Sequence, residues 1–199
     1  MTTSTPNHVL ALHAVRTLGH GDGARIAERV HLPQPEVEEH LLDAAAHGWV
    51  TRSSYGADDE WSLTESGKAH GERLLAAELD ATGVRSEIAT IYRDFLPLND
   101  VVAAACTRWQ LVELGLGPQD VSLASTITAL REPAQRLAGI EHRLTTHLLR
   151  FTGYHDRFTA ALTKASTEPA WITGIDRDSC HRIWFELHED LIATLGLTR

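Results

Sequence analysis

Residues 32–50 read LPQPEVEEHLLDAAAHGWV, and the fold of the first half of the chain depends on how they are read. Pro33 and Pro35 bracket Gln34 in a tight turn. A proline loses nothing in the first turn of a helix, where its missing N–H would have no intrahelical partner. The pattern predicts a helix from Pro35, with Gln34 just outside it. Val37, Leu41, Ala44, Ala45 and Gly48 fall on one face; Glu36, Glu39, His40, Asp43 and His47 fall on the other. Trp49 and Val50 then open an extended segment.

Working outward, HVLALHAVRTL (8–18) has apolar positions at a helical period, and the loop GHGDG, with three glycines in five residues, ends it. GARIAERVHLP predicts a short helix with Ala24, Ile26, Ala27 and Val30 turned inward, stopped before Pro33. Downstream, Trp49 to Tyr55 predicts a strand, GADDE (56–60) a turn, and Glu60 to Leu63 a return strand. Thr64 caps the next helix, whose first turn carries Glu65 where the helix dipole favours an acid. Helix, helix–turn–helix, two-stranded wing and helix together make a winged-helix plan.

HLPQPEVEEHLLDAAAHGWVTR and WSLTESGKAHGERLL resemble winged-helix regulators of the MarR and PadR type. The most specific element is the exit from the wing, Trp61-Ser62-Leu63-Thr64 followed by Gly67-Lys68. The resemblance covers about the first 80 residues. It implies a head that binds double-stranded DNA, with Arg25, Arg29, Gln34, Glu36, Arg52 and Lys68 as the candidate contacts.

The charge pattern runs against that implication. The chain has 199 residues and a net charge of −9, and its first 79 residues hold six basic and twelve acidic side chains. Between His31 and Gly48 stand Glu36, Glu38, Glu39 and Asp43, with no Lys or Arg. The wing tip reads Asp58-Asp59-Glu60. Affinity for a duplex comes first from cations neutralising phosphates, so any duplex binding is expected to be weak and salt-sensitive. Glu36 and Glu39 could accept from cytosine amino groups, against phosphate repulsion.

Residues 80–199 differ in character: helical periodicity throughout, no strand signal, and no internal repeat. Four to five helices are expected, broken or kinked at Pro97 and Pro133. The predicted fold class is therefore mainly α, with a winged-helix domain at 1–79 and an all-α bundle at 80–199 serving as an effector and dimerisation domain. FLPLN (95–99), Cys106-x-x-Trp109-Gln110 and WFELHEDLIATLG (184–196) resemble a helical domain found in actinobacterial winged-helix proteins. Similar sequence is also appended to enzymes resembling phosphoenolpyruvate-utilising dikinases.

On the last helix Arg177, His181, Trp184, His188, Leu191 and Leu195 share one stripe, while Arg182, Glu186 and Glu189 lie on another face, with Arg182 and Glu186 placed to pair. Two readings stay open for that stripe. Its polar aromatics are satisfied core residues, or they line a pocket for an unknown small-molecule effector with Asn99, Cys106, Trp109, Gln110, His181, Trp184 and His188 in its wall. His181 and His188 are seven residues apart, about 10 Å along a helix, too far for one metal ion. No phosphate-binding glycine motif and no nucleophile elbow occurs, and nothing marks Cys106 or Cys180 as activated. No cofactor and no metal are expected.

The start of the chain lacks a basic leader and no apolar run approaches the roughly 18 residues needed to cross a bilayer, so a cytoplasmic protein without membrane contact is expected. Leu75, Leu79, Ile88, Ile91 and Phe95 form a stripe that predicts a homodimer. Three functions stay open: a ligand-responsive, dimeric transcription regulator; a regulatory or protein-interaction module whose winged helix does not bind DNA; and an enzyme using the bundle pocket.

Overall fold

The computed structural model describes residues 2–53, 59–118 and 120–197. It is mainly helical, with one small three-stranded antiparallel sheet. The elements run α1 (Asn7–Leu18), β1 (His20–Gly21), α2 (Gly23–Val30), α3 (Gln34–Ala46), β2 (Val50–Ser53), β3 (Glu60–Leu63) and α4 (Glu65–Thr82). The long helices α5 (Arg85–Glu113) and α6 (Leu123–Thr145) follow. A 3-10 turn (Leu149–Phe151), α7 (Tyr154–Ala165), α8 (Ala170–Thr173) and α9 (Cys180–Leu195) complete the chain. Tyr55, most of the GADDE turn and Asp58 lie outside the described residues.

Two compact units divide these elements. The first is Thr2–Ser86, joined by Leu148–Arg150 and the end of the chain from Glu189. The second is Glu87–His147 with Phe151–His188. The division predicted at 79/80 thus falls at Ser86, and α9 passes from one unit into the other.

In the first unit the segment predicted as a plain loop, GHGDG, carries structure at almost every residue. Gly19 ends α1 at φ +81°, a backbone that side-chain-bearing residues rarely adopt. His20 and Gly21 pair with Ser62 and Trp61, and Asp22 caps α2 by accepting from the Arg25 N–H at 2.8 Å. The predicted two-stranded wing is therefore corrected to a sheet in the order β1-β3-β2. Two residues of ladder give too short a pattern for any period to be read from sequence. Helix α3 starts at Gln34, one residue before the predicted start, with Pro33 as its cap. Ile26, Val37, Leu41, Val50 and Trp61 close the core of this unit with the inner face of α1.

The glycine of the Leu63-Thr64-x-x-Gly67 exit has a steric reason. The Thr64 hydroxyl donates to the Gly48 carbonyl at 2.7 Å and accepts from the Gly67 N–H at 3.0 Å, which pulls the first turn of α4 onto the start of β2. A Cβ on Gly67 would lie 1.8 Å from the Trp49 carbonyl oxygen. No other residue fits there without moving the backbone.

In the second unit α5 and α6 run through Pro97 and Pro133 without a break, so of the expected break or kink the break does not occur. A proline inside a helix removes one hydrogen bond. Here the flanking Phe95, Leu98, Val102, Leu130, Ala134 and Leu137 are all buried, and tertiary burial of this kind outweighs the local preference. Around them pack Phe151, Tyr154 and Phe158, with Ile183, Trp184 and Leu187 of α9. No described helix is long and apolar enough to cross a membrane.

Candidate functional site

Helix α3 presents Gln34, Glu39, Leu42, Asp43 and His47 to solvent. Glu39, Leu42, Asp43 and Ala46 are spaced three and four apart and so share one outward strip. At its centre stands Leu42, 55% exposed, with an acid on either side. Glu36 is half-buried and turned to its own unit, accepting from the Asn7 amide at 2.6 Å with the His40 ring at 3.8 Å. Glu38 lies against Gly23, the first residue of α2, where a Cβ would collide with its carboxylate. At the C-terminal end of the helix the Trp49 ring is stacked between His47 (4.5 Å) and His70 (3.6 Å). Burial, followed by the charges of Arg73, His47 and His8, lowers the His70 pKa.

The candidate cations do not converge on this strip. Arg29 is half-buried and close enough to Asp190, inside the same unit, to help hold that carboxylate ionised. Arg25 is half-buried, with its stem over Gly21. Arg52 pairs with Asp59 at 2.7 Å and lies over the Trp61 ring at 5.2 Å. Lys68 is exposed, and beside it a hollow of about 210 Å³ is also lined by Arg16, Thr64, Glu65 and Glu189. Thus Glu39 and Asp43 stand exposed on the outer strip of α3, Arg52 is paired with Asp59, and Lys68 is exposed beside the start of α4.

The polar-aromatic set of the second unit is buried or half-buried, and within it Trp184 meets Asn99. Trp184, 3% exposed, stacks on Phe95 with ring centroids 5.1 Å apart and meets Phe158 edge-on at 5.2 Å. Its indole N–H donates to the Asn99 side-chain oxygen at 3.2 Å. His188 reaches the Tyr92 hydroxyl at 3.3 Å. Cys106 and Trp109 are buried, and Gln110 is half-buried. His181 is also half-buried, and burial lowers its pKa. None of the seven lines either hollow described in this molecule.

Burial pushes the thiols of Cys106 and Cys180 up to about 12 each, the second aided by the nearby Cys106. Neither is a nucleophile at neutral pH. Among the described residues no group of three or more His, Cys, Asp or Glu is arranged to hold a metal ion.

Comparison of the chain with protein-family models, with curated proteins and with solved structures found no match.

Several charged residues were not visible as a set in the sequence. In the first unit the Arg150 guanidinium, 2% exposed, donates to Glu78 at 2.5 Å and to the Thr194 hydroxyl at 2.7 Å, and lies 3.5 Å from Asp190. His13 joins Asp190 at 2.8 Å, and the Thr5 hydroxyl donates to Glu78 at 2.6 Å. In the second unit Arg157 bridges Asp178 (2.9 Å) and Glu186 (2.8 Å). Glu186 is fully buried, and Arg182, the residue the helical spacing places to pair with it, is 3.9 Å away. The stripe that predicted a dimer is also accounted for within one chain: Leu75, Leu79, Ile88, Ile91 and Phe95 are each at most 1% exposed.

Proposed function

We propose that this chain is a regulatory protein whose first unit is a winged-helix head working as a protein-docking module, with the helical unit as its sensor. The element order from α1 to α4, with a β1-β3-β2 sheet and one face of α3 exposed, supports the winged-helix assignment. The observation that carries the docking reading is the outward strip of α3, where Leu42 stands between Glu39 and Asp43. An apolar centre with an acidic rim suits a protein surface with an apolar hollow and basic edges. It does not suit a phosphate backbone.

A second reading, the DNA-binding transcription regulator, keeps support from the exposed Gln34 at the start of α3 and the exposed Lys68. Fluorescence anisotropy with a labelled duplex from the region upstream of the coding sequence separates the two. The docking reading expects no sequence-preferring complex at 50 mM salt. It also expects the Glu39→Lys, Asp43→Lys double variant to gain salt-sensitive, sequence-blind binding, because the variant adds cations to an otherwise competent head. Tight, sequence-specific binding by the natural chain would overturn the docking reading and restore the DNA-binding one.

A further inference from the structure

Helices α5 and α6 flank a half-open surface hollow of about 330 Å³ within the second unit, at the small end of the range for metabolite sites. From α5 it is lined by Arg93, Asp94, Pro97, Leu98 and Val101; from α6, by Glu132, Pro133 and Arg136. Both helix-interior prolines of the unit thus face one space. Arg143 further along α6 pairs with Asp94 at 2.6 Å and with Glu87 at 3.5 Å. The two helices therefore run antiparallel, which brings Arg136 toward the Arg93 end of the hollow and Glu132 toward the Val101 end.

The charges are sorted along that axis. Asp94 is neutralised by Arg143. Arg93 commits one N–H to the Thr90 hydroxyl and keeps the rest of its donors. Arg136 and Glu132 are exposed, one helical turn apart, and do not pair with each other. Two guanidinium groups therefore stand toward one end and a carboxylate at the other. Between them lies a floor of Pro97, Leu98, Val101 and Pro133, with no aromatic side chain in the lining.

From this sorting we infer that the hollow binds a free aliphatic α-amino acid. Its carboxylate meets Arg93 and Arg136, its ammonium meets Glu132, and its side chain rests on the proline–aliphatic floor. Charge-assisted hydrogen bonds at both ends give orientation, and the absence of an aromatic platform favours a branched aliphatic side chain over a planar one. This site is separate from α3 and does not depend on what the head docks.

The test uses the full chain, thermal shift and calorimetry, and three probes: L-leucine, 4-methylpentanoate (no ammonium) and 3-methylbutylamine (no carboxylate). Leucine at a hundredfold excess over its dissociation constant is expected to raise Tm by roughly 5 °C or more, and each truncated probe to bind at least tenfold more weakly. Arg136→Gln should abolish leucine binding. Glu132→Gln should reduce leucine to the level of 4-methylpentanoate and leave 4-methylpentanoate itself unchanged. Both replaced side chains are exposed, and circular dichroism of each variant checks the fold. Should either variant fail to fold, Arg93→Gln, which removes the other guanidinium from the carboxylate of the ligand at an exposed position, is expected to weaken leucine binding at least tenfold in its place. No shift with leucine, valine or methionine at 10 mM would overturn the proposal, as would leucine binding that survives the loss of both Arg136 and Glu132.

Discussion

His13 Nε2 and Asp190 Oδ1 lie 2.8 Å apart, although 177 positions separate them in the chain. The contact is almost fully buried, with side chains 7% and 1% exposed, and Arg150 and Arg29 add positive charge to the same carboxylate. A buried acid hydrogen-bonded to His13, with two arginines adding positive charge, is a strong constraint on this unit. It joins α1 to the last two turns of α9.

Asp190 sets a pH dependence whose sign follows from its surroundings. Burial alone would raise its pKa, but His13, Arg150 and Arg29 outweigh burial and hold it down at about 2, from an ordinary 3.8. A depressed carboxylate contributes stability that is fully present above the unfolded value and is lost as pH falls through the folded one. Urea unfolding between pH 5 and pH 2 is expected to show a loss of about 2–3 kcal/mol from this group. Asp190→Asn should cost about 1–3 kcal/mol at pH 7, because His13 and Arg150 lose a buried charged partner while Arg150 keeps Glu78, and should flatten that acid limb. An Asn variant as stable as the natural chain would show that the network contributes nothing.

Gly67→Ala tests the close approach at the start of α4. The added Cβ would fall 1.8 Å from the Trp49 carbonyl oxygen, so β2 or the first turn of α4 must shift. A destabilisation of about 1–3 kcal/mol or more is expected from such overpacking, measured by chemical denaturation. Gly71→Ala, whose nearest neighbour would be a Leu12 methyl at an ordinary 3.6 Å, is expected to be neutral or slightly stabilising through helix propensity. Equal effects at the two sites would contradict the steric account.

Cys106 and Cys180 should behave as hydrophobic groups. With both thiols pushed up to about 12, only about one part in ten thousand is thiolate at pH 8. An aromatic disulfide reagent is expected to leave the native chain unlabelled over hours and to titrate two thiols at once in urea. Rapid labelling of one thiol in the native protein would mark it as a reactive cysteine and reopen an enzymatic role.

Much of the first unit was legible in local sequence. The Pro33-Gln34-Pro35 turn, the 3.6-residue period of α3, the Thr64 cap and the glycine at position 67 each act within a few residues of chain, and local chemistry writes a local pattern. The acidity of the α3 face was equally plain, since Glu39 and Asp43 needed only a helical period to be placed on its outer side. Strand β1 was not legible, because its two residues pair with Ser62 and Trp61, some forty positions away. Nor were the unbroken courses of α5 and α6: proline reads as a helix breaker until the burial on both sides of it is known.

The candidate sites divide along the same line. Sequence alone placed Arg177, His181, Trp184 and His188 on one stripe of the last helix; α9 carries His181, Trp184 and His188 at that spacing, and Arg177 falls before its start. Whether such a stripe lines a cavity or fills a core depends on what stands opposite, and only the tertiary structure places Phe95 and Phe158 against Trp184 and Tyr92 against His188. The same holds for the charges. The sequence alone determined that the head is acidic and that α3 carries no base. It took three dimensions to commit Arg52 and Arg150 to Asp59 and Glu78, because an ion pair depends on distance in space and leaves no period along the chain.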